Sequence, residues 1–500
     1  MWGTMGAVMG EVLKQRLPQP IFDADPDLVA FYDEAWEAVA SRLRDAPGLP
    51  CTPYLEAEAA DGGAHRIADA CYLALAAKYA YGILPGVQSL ANFYQALYGP
   101  PADDSVAGPV LPIPFAVSDQ ASAPLFGWVE YETALISGDV KHVRTLLHQG
   151  YLQRHYEKLE SLEAAPKGEN VPPAAARRVR GYHWSEEAAG MPGLGRGLGL
   201  GENEMFWVDL LSQQCLSALC VSRLAALVCD TVISSKWRGK FSGKKTLLRR
   251  WYWNNGDSFF HDLDSTSMKQ VLFRTPAGFW PLVAGCPDPV EAERIALHLC
   301  APDEFGAPHP FPSVPRNDPR YDPGEGAGWH GAIHPTAAYL ALHGLSRSWQ
   351  YDDARLLALD LLRDMRKTWK EETPHGFWEC YSPVDGSSAK PAPGRKGRAA
   401  VPDLTANGAL LPINAFIENV IGIHYVDSFR RLVEWVPPRE KSRVGLKNLR
   451  FGTNNVDLMC DGGRCYVRAA EPFTLLLNGH RNDCAAGSTI LTVELPGPLR

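Results

Sequence analysis

The stretch Leu216-Ser-Ala-Leu-Cys-Val-Ser-Arg-Leu-Ala-Ala-Leu227 decides the fold class of this chain. Leu216, Cys220, Leu224 and Leu227 recur at spacings of three and four residues, which places their side chains on one face of an α-helix. The same spacing recurs in many other segments on both sides of this stretch. It predicts about a dozen amphipathic helices, so we expect the chain to be mainly α.

Two features of the surrounding sequence predict how these helices are arranged. Long loops rich in Pro and Gly join them, whereas the helices of a bundle are typically joined by about 2 to 8 residues. A toroid of paired helices is therefore favoured over a bundle. Near the C-terminus, Val456, Leu458 and Cys460 alternate with polar residues and precede a Gly-rich turn, which predicts β-strands. We expect a helical domain over residues 1–435 and a small C-terminal β unit over residues 436–500.

The composition excludes several classes of function. The chain of 500 residues carries 49 Lys and Arg against 57 Asp and Glu, a net charge of −8, which offers no field for a phosphate backbone or an anionic bilayer. This charge makes a nucleic-acid partner unexpected. A membrane partner is not expected either, because no segment approaches the roughly 18 consecutive apolar residues that span a bilayer. The eleven cysteines never form Cys-x-x-Cys, which argues against a disulfide framework or a structural zinc site and favours a reducing, cytoplasmic location.

Aromatic and acidic residues cluster in loops rather than on the predicted helix faces. Indole rings stack on the C–H faces of sugars, and carboxylates and amides bind sugar hydroxyls, so such clusters favour a small carbohydrate as the partner. The alternative is that these tryptophans pack the loops and the acids are solvated. The clusters are Tyr182–Glu187, Trp253–Asp257, Gly328–His334 and Gly376–Tyr381.

Hydrolysis of a glycosidic bond with inversion needs two carboxyl groups, one to protonate the leaving oxygen and one to activate water, about 6.5 to 9.5 Å apart. Glu379, which lies between Trp378 and Tyr381, is the predicted general base. Glu186 and Glu187 precede a Gly-rich turn that brings backbone close to a ligand, and they are the candidates for the general acid.

A series of segments then identifies a family resemblance, which covers most of the chain from about Pro53 to the C-terminus. In this order they resemble the motifs of the (α/α)6-barrel glycosidases related to glycoside hydrolase family 63 and to the mannosylglycerate and glucosylglycerate hydrolases. The segments are Arg66-Ile-Ala-Asp-Ala-Cys-Tyr72, Leu90-Ala-Asn-Phe-Tyr94, Ala123-Pro-Leu-Phe-Gly-Trp-Val-Glu130, Asp209–Gln214, Asn254–Asp264, Gly278-Phe-Trp-Pro-Leu282, Pro312-Ser-Val314, Gly328–Tyr339 and Trp378-Glu-Cys-Tyr-Ser-Pro383.

The resemblance carries expectations for fold, mechanism and site. It implies an (α/α)6 toroid of the six-hairpin glycosidase type and an inverting hydrolysis that requires no metal or cofactor. It also implies Glu379 as the general base, which agrees with the interpretation of the loop clusters. The resemblance and the loop clusters together give the predicted substrate-binding residues, which are Asp69, Trp128, Glu130, Trp184, Arg196, Asp209, Gln213, Trp329, His330, His334, Trp378 and Tyr381.

The sequence departs from the family pattern within the site itself. Pro192 occupies the position of the family's catalytic Asp, and proline has no proton to donate. His330 and His334 replace an arginine and a tryptophan. Three hypotheses follow: Glu186 or Glu187 supplies the acid of an inverting glycosidase, the two histidines form the acid/base pair of a sugar epimerase or isomerase, or the chain binds sugar without catalysis.

One further cluster concerns a metal. Asn254, Asn255 and Asp257 supply oxygen ligands, which suit calcium, so this loop is a candidate for a structural calcium ion. The sequence indicates no particular oligomeric state, sugar or aglycone.

Overall fold

A computed structural model describes residues 14–57, 64–100, 115–118, 123–169, 171–323, 328–389, 405–439 and 442–493 of the chain. The described part is mainly helical, as the apolar periodicity predicts. The helices are α1 (Pro26–Ala40), α2 (Ile67–Ala76), α3 (Leu90–Tyr98), α4 (Phe126–Ser137), α5 (Val140–Gln149), α6 (Tyr151–Glu160), α7 (Pro173–Arg178), α8 (Val208–Leu227), α9 (Thr231–Leu247), α10 (Trp280–Val283), α11 (Pro289–Cys300), α12 (Pro335–Arg347), α13 (Tyr351–Glu371) and the π-helical α14 (Leu411–Val420). Shorter helical turns lie at Ala77–Ala80, Val87–Ser89, Glu202–Glu204, Leu248–Tyr252, Pro276–Phe279 and Ala406–Ala409.

Local chemistry sets several helix ends. Gly138 ends α4 in the left-handed conformation, with φ 64°, which a residue without a Cβ adopts readily. The Asp139 side chain then accepts a hydrogen bond of 2.9 Å from the His142 N–H and caps α5. At α11, Asp288 and Glu291 form a reciprocal capping box. These ends create sharp turns between neighbouring helices and fix where each helix begins.

Six of the helices contact one another in chain order. Helix α2 packs on α4, α4 on α8, α8 on α10, α10 on α12, and α12 on α14. The turn Ala406–Ala409, just before α14, packs against α2, so the last member of the series returns to the first. Helices α1, α9 and α13 pack on the outside of this series, against α14, α8 and α12 respectively, with α13 also on α14.

Strands form two main sheets and several short ribbons. The five-stranded sheet has the order β1-β13-β14-β15-β18, and the four-stranded sheet has the order β11-β12-β16-β17. The strands are β1 (Gln19–Phe22), β2 (Leu43–Arg44), β3 (Tyr54–Leu55), β4 (Glu163–Ala164), β5 (Gly181–Tyr182), β6 (Met205–Phe206), β7 (Trp253–Asn254), β8 (Phe259–Phe260), β9 (Asp262–Asp264), β10 (Gln270–Val271), β11 (Ile423–Asp427), β12 (Leu432–Trp435), β13 (Val444–Phe451), β14 (Asn454–Asp461), β15 (Arg464–Ala469), β16 (Phe473–Leu477), β17 (His480–Cys484) and β18 (Gly487–Thr492).

The two sheets extend beyond the predicted C-terminal unit of residues 436–500. Strands β11 and β12 precede residue 436, and β1, near the N-terminus, pairs antiparallel with β13 from Gln19↔Lys447 to Phe22↔Val444. The sheets pack at the end of α4, where the backbone N–H groups of Ser428 and Gly452 donate to Leu135 and Ile136 at 2.9 and 2.8 Å. The β unit is therefore attached to the C-terminal end of α4.

Helix α8 lies at the centre of the apolar core. It has the length and the mean hydropathy of a membrane span, although polar residues interrupt its apolar sequence. Within that apolar window, 83% of the residues are buried inside the protein, as is typical of a core helix. Asp209, Gln213 and Gln214 on α8 are also buried, so its polar side chains form hydrogen bonds within the protein or line its interior.

Candidate active site

The candidate residues lie where helices begin. Asp69 is in the first turn of α2, Asp209 is in the first turn of α8, and His334 immediately precedes α12. In the sequence these residues lie far apart, so their association depends on the contacts among the helices. The hydrogen bonds and ion pairs around the helix starts determine which of them come together.

Asp69 is joined to the loop that carries Glu379 through a short contact path. Its Oδ1 accepts a hydrogen bond of 3.0 Å from Nδ2 of Asn407, in the turn before α14. Two residues earlier, the backbone N–H of Thr405 donates to the carbonyl oxygen of Phe377 at 2.7 Å. Phe377 is buried, whereas Glu379 is exposed. The path therefore places the loop that carries Glu379 near the start of α2.

A second contact brings the Tyr182–Glu187 cluster to the same helix start. Arg66 immediately precedes α2, and its Nη2 lies 3.7 Å from Oε1 of Glu187. Glu186 is oriented differently, because its Oε1 accepts a hydrogen bond of 2.7 Å from the backbone N–H of Arg196 in the Gly-rich loop. The two neighbouring glutamates, which the sequence leaves equivalent, are thus distinguished by their partners.

The Glu379 loop is also tied to the loop before α12. Ile333 and Tyr381 exchange backbone hydrogen bonds of 2.8 Å in both directions, as in a short antiparallel bridge. The Tyr381 hydroxyl accepts a further hydrogen bond of 3.2 Å from the Trp378 backbone N–H. Tyr381 is buried and Trp378 is half-buried, so Tyr381 supports the loop while Trp378 and Glu379 reach its surface.

The two histidines do not share a helical face. Residues 329–331 form a turn, and α12 begins only at Pro335. The ring of His334 stacks on Trp329 with centroids 3.6 Å apart and planes 1° apart. Burial lowers the pKa of His334 to about 4, which keeps the ring neutral at neutral pH. His330 is half-buried in the turn before the helix, so the two histidines do not have the one-turn helical spacing that would place them on one face.

Arg196 and Asp209 bind each other rather than facing a cleft. The Arg196 guanidinium donates to Asp209 at 2.7 and 3.2 Å and to Asp262 at 2.8 and 2.7 Å, and it lies over the Trp207 ring. The side chains of Arg196 and Asp209 are 0% exposed. Burial alone lowers the pKa of Arg196, but the charges of the two carboxylates raise it above its ordinary value. In this structure Arg196 anchors the Gly-rich loop instead of contacting substrate directly.

Glu130 is likewise saturated by protein groups. Its Oε1 accepts from the Tyr94 hydroxyl at 2.8 Å, and its Oε2 lies 2.7 Å from Nε2 of His142. The attraction of Glu130 raises the pKa of His142. Glu130 is 1% exposed, so neither of its oxygens faces a substrate. The expected direct substrate contact is replaced here by a buried hydrogen-bond network.

The remaining predicted residues divide by burial. Trp128 packs edge-on against the Trp280 ring at 6.0 Å, and Gln213 and Trp184 are also buried. Pro192, at the position of the family's acid, is exposed. The predicted site residues that are half-buried or exposed, and so can reach a ligand, are Asp69, Glu186, Glu187, Trp329, His330, Trp378 and Glu379.

The proposed calcium loop is held together by internal hydrogen bonds. Oδ1 of Asn254 accepts from two backbone N–H groups of its own turn, and Oδ1 of Asn255 accepts from an indole N–H at 2.8 Å. The Asp257 carboxylate pairs with His261 and Arg274. Although burial raises the pKa of Asp257, hydrogen bonds from those two partners lower it below its usual range. Across the described residues, no group of three or more His, Cys, Asp or Glu is arranged to hold a metal.

Three residues of this region were missed in the sequence. Arg66, the partner of Glu187, and Asp262, a partner of Arg196, both lie inside segments that resemble the family motifs. Those motifs could therefore have drawn attention to the two residues. Asn407 lies outside every such segment and 338 residues from Asp69, its partner. Only the folded chain identifies that contact.

Comparisons with known proteins identify a similar domain and a similar fold. Residues 163–399 match the model of the mannosylglycerate hydrolase MGH1-like glycoside hydrolase domain. An uncharacterized protein of Borreliella burgdorferi is 24% identical over 355 residues, which cover 68% of this chain and 67% of that protein.

Solved structures share the fold at low sequence identity. The family 63 mannosylglycerate hydrolase of Thermus thermophilus, in complex with glucose, has a TM-score of 0.52 and 18% identity, covering 76% of this chain and 98% of that one. A sialidase has a TM-score of 0.68 and 16% identity over 97% of this chain, which spans only 41% of the sialidase. The family 78 rhamnosidase of Bacillus sp. GL1 has a TM-score of 0.56 and 12% identity, covering 90% of this chain and 41% of that one. Residues 163–399 therefore resemble the mannosylglycerate hydrolase MGH1-like glycoside hydrolase domain, and the predicted resemblance to the family 63 glycosidases is confirmed.

Proposed function

We propose that this protein hydrolyses a short glycoside with inversion at the anomeric carbon, with Glu379 as the general base and Glu187 as the general acid. The contact path Glu187–Arg66, Asp69–Asn407 and Thr405–Phe377 carries this proposal, because it connects the two exposed carboxylates around the start of α2. The cyclic order of helix contacts supports an (α/α)6 toroid, with the starts of α2, α8 and α12 surrounding the site.

Glu379 suits the role of base because its loop is rigid while its side chain is exposed. The bridge between Ile333 and Tyr381 fixes the backbone two residues away. Trp378 and Trp329 are both half-buried and offer aromatic surface for a sugar ring. A carboxylate held in this way activates a water molecule on the face of the sugar opposite the leaving group.

Glu187 suits the role of acid better than Glu186 because of its partner. Glu186 is committed to the backbone N–H of Arg196, whereas Glu187 interacts only with Arg66 at 3.7 Å among the side chains described here. The Arg66 and Glu187 side chains are 38% and 49% exposed, so water screens their attraction and a substrate separates them at little cost.

The same pair points to an acidic aglycone. The Thermus thermophilus neighbour is a mannosylglycerate hydrolase. In this chain a carboxylate on the aglycone would bind Arg66 and separate it from Glu187, so that the Glu187 carboxyl group can carry a proton from solvent and donate it to the glycosidic oxygen. We infer a sugar linked to a small organic acid as the substrate.

The test is release of reducing sugar from a panel of glycosides that includes mannosylglycerate and glucosylglycerate. Glu379→Gln is expected to lower kcat by about 10² to 10⁴ on every substrate. Glu187→Gln is expected to lower it similarly for an alkyl glycoside but much less for a dinitrophenyl glycoside, whose leaving group needs no proton. Proton NMR of the first product formed reports inversion.

Glu293→Gln is the matched control, because Glu293 is exposed on α11, an outer helix away from the site. Its activity should equal that of the unaltered protein. Full activity in Glu379→Gln would exclude Glu379 as the base. Equal losses on both leaving groups in Glu187→Gln would exclude Glu187 as the acid.

A second candidate function is sugar binding without turnover. Pro192 at the position of the family's acid favours it, since this exposed proline supplies no proton. Saturable binding of a sugar with no hydrolysis across the panel would establish that function instead.

A further inference from the structure

A cavity lies at the opposite end of the helices from the candidate active site. It has a volume of about 510 Å³ and is lined by the last turns of α8 and α12 together with strand β11. Asp209 lies in the first turn of α8 and Arg223 lies near its end, so the two residues are separated by about 21 Å along the helix axis. The cavity is thus distinct from the site around Glu379.

Two arginines in this cavity have no anionic partner. Among the described residues, Arg223 and Arg347 make no hydrogen bond or ion pair, and the Arg223 guanidinium lies 5.4 Å from the centre of the Tyr131 ring. Burial and the like charge of Arg223 lower the pKa of Arg347. Two guanidinium groups that repel each other inside a cavity are unfavourable unless an anion joins them.

The acidic residues of the cavity are already engaged. Asp427 accepts from the Tyr425 hydroxyl at 3.0 Å and from the Arg430 backbone N–H at 3.0 Å. Glu434 accepts from the Tyr351 hydroxyl at 3.1 Å. Neither carboxylate is within ion-pair distance of Arg223 or Arg347, so both guanidinium groups are without an ion-pair partner among the described residues.

A histidine beside the arginines lacks hydrogen-bond partners, and a tryptophan of the same cavity is exposed. Both ring nitrogens of His424 are buried without a hydrogen bond, while its ring stacks on Tyr351 with centroids 3.7 Å apart. Trp349 lines the same cavity and is 70% exposed, although large aromatic side chains are usually much more buried. An unsatisfied polar ring and an exposed indole at the same cavity indicate a ligand that is both polar and ring-bearing.

We propose that this cavity binds a sugar phosphate, with the phosphate between Arg223 and Arg347 and the sugar ring on Trp349. A phosphate monoester carries close to two negative charges at neutral pH, which match the two unpaired guanidinium groups. The sugar ring stacks on the exposed indole face, and His424 lies beside them as a hydrogen-bonding group. The ligand therefore binds at the end of α8 and α12 opposite the glycosidase site.

The test is calorimetric titration of the full chain with glucose 6-phosphate, inorganic phosphate and glucose at low ionic strength. Glucose 6-phosphate should bind more tightly than inorganic phosphate. Arg223→Gln and Arg347→Gln should each raise its Kd by about tenfold or more, as expected for the loss of a charged hydrogen bond. Trp349→Ala should weaken binding of glucose 6-phosphate and leave that of inorganic phosphate unchanged.

Arg468→Gln is the matched control, because Arg468 is an exposed arginine on β15 with no role in the cavity, and it should bind as the unaltered protein does. Thermal unfolding of each variant checks its fold. If Arg347→Gln does not fold, Arg223→Gln still tests the proposal. Unchanged affinity in Arg223→Gln would overturn the proposal. Equal affinity for inorganic phosphate and glucose 6-phosphate would overturn the assignment of a sugar phosphate.

Discussion

The two ends of helix α8 hold arginines in opposite circumstances. At its start, Arg196 is completely buried and donates to both Asp209 and Asp262. Near its end, Arg223 lines a cavity with Arg347, and neither has a carboxylate partner among the described residues. The family resemblance points only to Arg196. Arg223 and Arg347, however, have the unpaired N–H donors that an anionic ligand needs.

The difference teaches that burial and pairing distinguish a structural charge from a binding one. A buried charge costs several kcal/mol in desolvation, and paired carboxylates offset this cost only when they are present in the fold itself. Arg196 meets that condition. Arg223 and Arg347 do not, so their charges are compensated by water or by a ligand.

Replacing Arg196 with Met should lower the stability of the protein more than any substitution of Glu130, Arg223 or Arg347. Two buried carboxylates then lose the cation that pairs with them, and we expect the free energy of unfolding to fall by about 3 to 5 kcal/mol. Urea denaturation measures this loss. The Gly-rich loop anchored through Arg196 should also become more susceptible to proteolysis.

The loss in Arg196→Met should depend on pH with a defined sign. Without the guanidinium, burial leaves the pKa of Asp209 further above its ordinary value, so the folded state binds more protons than the unfolded one. Stability of the variant should therefore rise, relative to the unaltered protein, as the pH falls from about 7 toward the carboxyl range. A loss of under about 1 kcal/mol at neutral pH would show that the triad is not structural.

The fold was largely accessible from the sequence because it depends on local periodicity. The apolar spacing of Leu216 to Leu227 appears in α8, and the alternation of Val456 to Cys460 appears in β14. What the sequence did not indicate is long-range pairing: β1 joins β13 although more than 400 residues separate them. No local pattern specifies such a partner.

The site was less accessible, for a physical reason. Residue type suggests a role in binding, but whether Glu130, Arg196 or Asp209 faces a ligand depends on which side chains fold against it. The two adjacent glutamates show the same limit, since only the structure assigns Glu186 to the Arg196 backbone and Glu187 to Arg66. The roles of Glu379 and Glu187 in hydrolysis remain proposals.

An intermediate case between the two arginine regions lies on α4, where the buried carboxylate of Glu130 pairs with a histidine. Glu130 raises the pKa of His142 above its ordinary value of 6.5. The ion pair is therefore fully stabilising below about pH 6.5 and is lost as the pH rises through the folded-state pKa. As the pH rises above about 6.5 and through the folded-state pKa of His142, we expect the free energy of unfolding to decline by about 1 to 3 kcal/mol, because a charged hydrogen bond contributes about that much.

Glu130→Gln tests that pairing, because glutamine keeps a hydrogen-bond acceptor for Tyr94 but removes the charge. Denaturation at about pH 6 and about pH 9 should give a smaller difference in stability for the variant than for the unaltered protein. His148→Gln is a suitable control, since His148 lies on the same helix as His142 but two turns further on. An unchanged difference in Glu130→Gln would assign the pH dependence to other groups.

The smallest effect should come from Arg223→Gln combined with Arg347→Gln. Neither side chain has a partner to leave unsatisfied, and Glu132, whose charge also acts on Arg347, keeps its ion pair of 3.3 Å with Lys78. The free energy of unfolding should therefore change by less than about 1 kcal/mol, in contrast to the loss expected in Arg196→Met. Adding glucose 6-phosphate at about ten times its Kd should then stabilise the unaltered protein by about 1.4 kcal/mol and leave the double variant unaffected. If the double variant instead lost several kcal/mol without ligand, Arg223 and Arg347 would be structural charges like Arg196, because only arginines engaged in the fold itself are costly to remove.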